Sequence, residues 1–285
     1  MMYIGVPDFG VDDDAILKEL SKNKRLGSYG VLSSYVTSIQ SRYNHYKAVF
    51  GDPWKLNCPL AIPAPLADSL ITHYEGEVVG LEFISKIREK FRNDSCPMCG
   101  STLPPVEVDH VIPKNDYPEF SFFSLNLVSA CKCNQRKGTR YKGDFPSERV
   151  LHPYFDAVMS QRVVYLEFSG KAAKPEIQVE ILPAYKNDDA IRFHVDNVLR
   201  KTAVLRHADN IWGKFSERPR STLRAFKRAP NKIDIIEFDE EVNALIDVND
   251  YTYGTPNNWQ SMFYYGLLKS PLHLGFVYKR LCEGY

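Results

Sequence analysis

The sequence is defined first by what it does not contain. No run of its 285 residues stays apolar for the roughly 20 positions a membrane-spanning helix needs. The first residues, "MMYIGVPDFGVDDD", show no basic region leading into an apolar core, so no export signal is legible and the expected location is cytoplasmic. Charge of one sign is not in excess: 36 Lys and Arg face 35 Asp and Glu, a net charge of +1. That excludes a chain that binds nucleic acid through its overall charge, and leaves local patches as the route. The phosphate-cradling pattern G-x-x-x-x-G-K-[ST] is missing, so this chain is not expected to hydrolyse ATP. Internal repeats and low-complexity tracts are also missing.

Patterning divides the chain into three zones: 1–92, 93–145 and 146–285. The first reads as helical. "DDDAILKELSKNK" carries acids at its start and lysines at its end, the polarity that a helix dipole favours. "VLSSYVTSIQSRYNHYKAVF", "LADSLITHYEG" and "VVGLEFISKIREKF" follow with helical spacing, and the proline-rich "GDPWKLNCPLAIPAP" connects them. The third zone opens with a predicted hairpin, "RVVYLEF" and "EIQVEIL". Helical patterns then run over 190–215, 232–248 and 257–269.

The middle zone lacks long periodic segments and holds four of the six cysteines. "CPMCG" at 96–100 is a C-x-x-C turn closed by glycine, and "ACKCN" at 130–134 supplies a second pair. In a chain without an export signal such pairs read as metal ligands before disulfides. Cys96, Cys99, Cys131 and Cys133 are therefore the expected tetrahedral ligands of a structural Zn²⁺. The second pair is C-x-C, one residue shorter than the usual knuckle. Cys58 and Cys282 stand alone and are expected in the core.

Between the cysteine pairs runs "VEVDHVIPKNDYPEFSFFSLNLVSACKCNQRKG". Asp109 and His110 sit together, with Pro113 three residues past the histidine. Asn126 precedes Leu127 and Val128; Cys133 and Asn134 follow, then Lys137. This ordered set resembles the HNH endonuclease family, whose ββα-metal motif has that arrangement. The resemblance covers residues 93–140 and implies a fold: strand "VEVDHVI", loop "NDYPEFSFFS", strand "SLNLVSA", and a helix opening at "NQRKGTRYKGD", its regularity limited by Gly138. The expected class is α+β, a ββα-metal finger with a four-cysteine zinc site between mainly helical flanks.

The resemblance also implies a chemistry, metal-dependent hydrolysis of phosphodiester bonds. His110 is the expected general base. Asp109 and Asn134 are the expected oxygen ligands of Mg²⁺, or Mn²⁺. Asn126 is expected to hold the loop and orient His110 by hydrogen bonding, and Lys137 to contact phosphate. Beside them, Lys132, Arg136, Arg140 and Lys142 form a cationic strip suited to a nucleic-acid backbone. A second basic run, "KFSERPRSTLRAFKRAPNK", interleaves Phe215 and Phe226 and suits nucleic acid or an acidic partner. "HPYFD" at 152–156, read with "YPEFSFFSLNLV", is similar to the HNH components of bacterial anti-phage systems of the Septu type and those attached to some retrons. That similarity implies an ATPase protein as partner; the substrate expected for the nuclease is DNA. The readings set against this are RNA, including tRNA, as substrate, and a non-catalytic zinc-binding module that docks nucleic acid or protein.

Overall fold

The computed structural model describes residues 1–76, 78–90, 95–226 and 233–285. Side chains of residues 90 and 224 also lie outside the described part, as do Lys227, Arg228 and Lys232 of the second basic run.

Among the described residues four α-helices precede the finger. They are α1 (Asp13–Lys22), α2 (Val36–Ala48), α3 (Ala64–Glu75) and α4 (Phe83–Lys90). The Asp12 side chain caps α1 by accepting from the Ala15 amide, and Asp13 and Asp14 occupy its first turn. Pro65 sits at the start of α3, where a missing amide costs nothing.

The finger follows as β1 (Glu107–His110), β2 (Leu127–Ala130) and α5 (Cys133–Lys137). The two strands pair antiparallel, with Asp109 opposite Val128 and His110 opposite Leu127. Gly138 ends α5 at a φ of 60°, a conformation that glycine tolerates and most residues do not.

The hairpin forms as β3 (Val164–Lys171) and β4 (Lys174–Ile181). After it come α6 (Asp189–His194), α7 (Val204–Glu217), the single turn α8 (Pro219–Thr222), α9 (Ile235–Thr252), α10 (Trp259–Leu268) and α11 (Pro271–Cys282). The helical pattern over 190–215 is not one helix. It passes from α6 into a π-helical turn, Val195–Leu199, and restarts at α7. Helix α11 went unrecognised in the sequence, although Ser270-Pro271 is a usable start signal.

Two apolar cores divide the buried residues. One joins α1–α4 to Val108, Ile112, Tyr117, Phe120, Phe122, Phe123 and Leu127 of the finger. The other joins the hairpin and α6–α11 to Val111, Val128, Ala130 and the cysteine pairs. Both faces of β2 are thus covered, which is why "LVSA" lacks the alternation of a half-exposed strand. Phe215 and Phe226 are buried in the second core, so the aromatics of the second basic run pack inward instead of facing a base. Cys58 is exposed, against the expectation of a core position, while Cys282 packs half-buried on the second core.

Candidate active site and metal centre

The cysteine pairs meet. The Sγ atoms of Cys96, Cys99, Cys131 and Cys133 lie within 4.8 Å of one another. Cys96 is 3.7 Å from Cys133 and Cys99 is 3.5 Å from Cys131. Four sulfurs each ~2.3 Å from one tetrahedral ion would sit about 3.8 Å apart, so the donor set fits a thiophilic divalent cation. The shortened C-x-C pair is accommodated because Cys133 already belongs to α5 while Cys131 precedes it. The thiols act on one another: burial raises Cys96, but hydrogen bonds from Cys131, Cys133 and Cys99 more than reverse this and hold it well below the ordinary range, while burial and the neighbouring sulfurs push Cys99 up and hydrogen bonds within the cluster push Cys133 up. The amide of Cys131 also donates to Cys96 Sγ at 3.3 Å. A sulfur supplied with donors in this way is prepared to be a thiolate ligand.

Asp109 and His110 end β1, and three neighbours fix them. His110 Nε2 lies 2.7 Å from the carbonyl oxygen of Ser121. A carbonyl only accepts, so Nε2 carries the proton, and Nδ1 keeps its lone pair. The ring is 7% exposed and meets Tyr74 of α3 edge-on, centroids 4.3 Å apart. Burial lowers its pKa to about 3, so the imidazole is neutral at cellular pH. It takes a proton readily only when an anion approaches, and a phosphodiester is such an anion.

The Asp109 side chain is 15% exposed. Its Oδ1 accepts the His110 amide at 2.9 Å. Lys137 Nζ lies 3.1 Å from Oδ2, close enough to pair by charge, yet no donor is aligned on that oxygen. A buried carboxylate oxygen with a free lone pair is what a hard cation uses. Desolvation raises the Asp109 pKa, and Lys137 opposes the rise.

Lys137 does not reach for phosphate. It is 4% exposed, and Nζ also donates to the His110 carbonyl at 3.1 Å. It lies beneath the site, tying α5 to β1. Asn134 is three residues earlier, one turn from Lys137 along α5. Its Oδ1 accepts the Gln135 amide.

Asn126 is fully buried and saturated. Oδ1 accepts from Ile112 N at 2.8 Å and Tyr46 Oη at 3.1 Å; Nδ2 donates to Ile112 O at 2.9 Å and Phe120 O at 3.2 Å. Two lone pairs and two protons are its whole capacity. None is left for His110, so the expected direct bond does not form. Asn126 acts one step away, by pinning Phe120 next to the Ser121 carbonyl that holds the ring.

Several supports were not foreseen from sequence. Tyr74 donates to Val108 O at 2.8 Å, clamping α3 to β1. Tyr46 of α2 lies between Asn126 and His152, whose Nε2 donates to Leu125 O at 3.0 Å. His152 Nδ1 accepts the Tyr154 amide, so this ring is also neutral, its pKa lowered to about 3 by burial. Tyr154 Oη donates to Leu127 O at 2.6 Å, which places "HPYFD" against the finger. Asp156 pairs with Arg149. A tyrosine within reach of a buried histidine leaves no local sequence signal.

The cationic strip is divided. Lys132 is exposed at the start of α5. Arg136 donates to Lys201 O at 2.7 Å, and Arg140 to Asn197 Oδ1 at 3.2 Å, so both also fasten the finger to the C-terminal region. Lys142 lies over Trp54 and Tyr141. In the second run, Arg220 Nε donates to Leu281 O. Among the described residues no helix is long and apolar enough to cross a membrane.

The sequence is similar to those of known proteins. The family model for HNH endonuclease matches residues 96–140. Protein ea31 of Escherichia phage lambda is 26% identical over 191 residues, 62% of this chain and 62% of its own length. Septu protein PtuB of Bacillus thuringiensis is 29% identical over 111 residues, 37% of this chain and 42% of its own length. The chain thus spans less than two thirds of either curated relative, and no solved structure matches it. The cysteine frame, the Asp-His strand end and the short helix all fall inside the matched segment, and on that ground the chain carries an HNH endonuclease domain at residues 96–140.

Proposed function

We propose that the chain is a metal-dependent endonuclease that hydrolyses DNA, the nuclease effector of an anti-phage complex with an ATPase partner. The observation that carries the reading is the state of His110. It is a neutral ring with Nε2–H held by the Ser121 carbonyl and Nδ1 free, beside a carboxylate oxygen that has no aligned donor.

Each residue then has a task. His110 Nδ1 takes the proton of the attacking water, and Ser121 holds the ring's rotation and tautomer. Asp109 and Asn134 would hold a hard divalent cation such as Mg²⁺, which when bound supplies positive charge to the scissile phosphate. Lys137 steadies the Asp109 carboxylate and the end of β1 from below. Lys132 and the exposed parts of Arg136 and Arg140 attract the backbone without reading sequence. The four cysteines with Zn²⁺ would fix α5, and with it Asn134, against β1. The likeness to a Septu protein supports a defence role, and the ATPase partner and cytoplasmic location belong to the same proposal.

The test is cleavage of plasmid DNA and of structured RNA in Mg²⁺ by the protein recovered with its native partners. Wild type is expected to cut DNA, and His110→Ala to lose activity by ~10²–10⁴-fold with an unchanged circular-dichroism spectrum. Equal cleavage by the variant would remove His110 as base. Cutting of RNA alone would correct the substrate.

A further inference from the structure

The four carbonyl groups of the knuckle, residues 97–100, are each taken by a donor from far along the chain. Pro97 O accepts the Met2 amide at 2.8 Å, and Met98 O accepts His194 Nε2–H at 2.7 Å. Cys99 O accepts Trp259 Nε1–H at 2.8 Å, and Gly100 O accepts the Trp259 amide at 3.0 Å. His194 is fully buried and Trp259 is 5% exposed. The roles at His194 are fixed, because its Nδ1 accepts the Leu151 amide at 3.0 Å and so only Nε2 carries a proton. The turn is also packed tightly: a Cβ on Gly100 would stand 2.1 Å from Asn257 O.

A C-x-x-C turn has little apolar surface with which to hold its own shape. Ordering such a segment costs about 1–2 kcal/mol per residue in backbone entropy. Here the ordering is done by His194, at the junction of α6 and the π-helical turn, and by Trp259, at the start of α10. Cys96 and Cys99 are thereby held by contacts that need no ion.

We infer that Trp259 and His194 are positioning residues of the tetrathiolate centre, through which the C-terminal region sets how long a thiophilic divalent cation such as Zn²⁺ is retained. The inference rests on the reading of the four cysteines as a metal site. Linkage makes the effect mutual: whatever the folded C-terminal region adds to ion affinity, the ion returns to that region's stability.

The experiment measures metal content of the whole chain, then the rate of ion release to excess chromogenic chelator. Trp259→Phe keeps the ring and removes the Nε1 donor. His194→Leu removes the donor to Met98, and His194→Gln retains one. Trp212→Phe is the control: Trp212 is buried in the same core, and its indole serves Ala173 O at 3.4 Å, away from the knuckle. Release should accelerate about tenfold or more in Trp259→Phe and His194→Leu. It should stay within about twofold of wild type in Trp212→Phe, and His194→Gln should recover most of the loss. Release at the wild-type rate from folded Trp259→Phe and His194→Leu overturns the inference, as does an equal acceleration in Trp212→Phe. Should Trp259→Phe not fold, the His194 pair decides. Wild-type protein without bound ion would instead overturn the metal reading itself.

Discussion

The two sides of the HNH finger are held by different physics. Its loop between β1 and β2 leans on the N-terminal core, where aromatic rings and one saturated asparagine do the holding. Tyr43 stacks on Phe123 at 4.2 Å, and Tyr46 meets Phe120 and Phe123 edge-on. Its cysteine knuckle leans on the C-terminal core, where backbone carbonyls are gripped by His194 and Trp259 and the four thiols converge. The contrast shows how a finger too small for a core of its own can be rigid at both ends: each end borrows a different neighbour.

The largest effect should come from the metal side. Stripping the ion with a strong chelator should lower the melting temperature by about 10 °C or more. In hydrogen exchange, amides of α10 and the 194–199 turn should lose protection before those of α2. Uniform loss across both cores would mean that the two sides are not separately held.

Next is the loop side. Asn126→Ala leaves the amide and carbonyl of Ile112 and the carbonyl of Phe120 short of partners in a buried place, an expected loss of about 3–5 kcal/mol in urea unfolding. Metal retention should change little. A tenfold faster ion release in this variant would merge the two sides into one.

Acid should strain both sides alike. His152 and His194 are buried neutral, with pKa values lowered to about 3 and about 4, against an unfolded value near 6.5. A depressed histidine pKa means that the unfolded chain binds the extra proton. The contribution is therefore complete above about pH 6.5 and is lost as pH falls toward the folded values. Between pH 7.5 and 5.5 each histidine should remove about 1.4 kcal/mol, and His110, lowered to about 3 in the same way, brings the three together to about 4 kcal/mol. A flat stability curve over that range would contradict the assigned tautomers.

The smallest effect is Tyr74→Phe. It keeps the ring against His110 and removes the bond to Val108 O, with an expected loss of about 1 kcal/mol in urea unfolding. A loss beyond about 3 kcal/mol would show that the clamp of α3 on β1 holds more than this one strand.

The motif itself was legible in sequence because its chemistry is local. Asp109-His110 and the two cysteine pairs stood out by spacing, and the pairing of "VEVDHVI" with "SLNLVSA" followed from the resemblance to the HNH family. Capping acids and the alternation of "RVVYLEF" likewise announced α1 and β3. Supports that depend on tertiary contact were not legible. Ser121 contributes a carbonyl, which every residue has. Tyr74, Tyr46, His194 and Trp259 reach the site from positions dozens of residues away. Lys137 read as a phosphate contact because five residues of helix do not reveal which face is covered. The π-helical turn, Val195–Leu199, interrupts a pattern that reads as one helix.

The central claim is that His110 stands ready as a neutral base with its Nδ1 lone pair free. Nitrogen-15 NMR of the imidazole tests it most directly. The account predicts, at pH 7, one protonated nitrogen, Nε2, hydrogen-bonded to the Ser121 carbonyl, and an unprotonated Nδ1. A proton on Nδ1, or on both nitrogens, would contradict it.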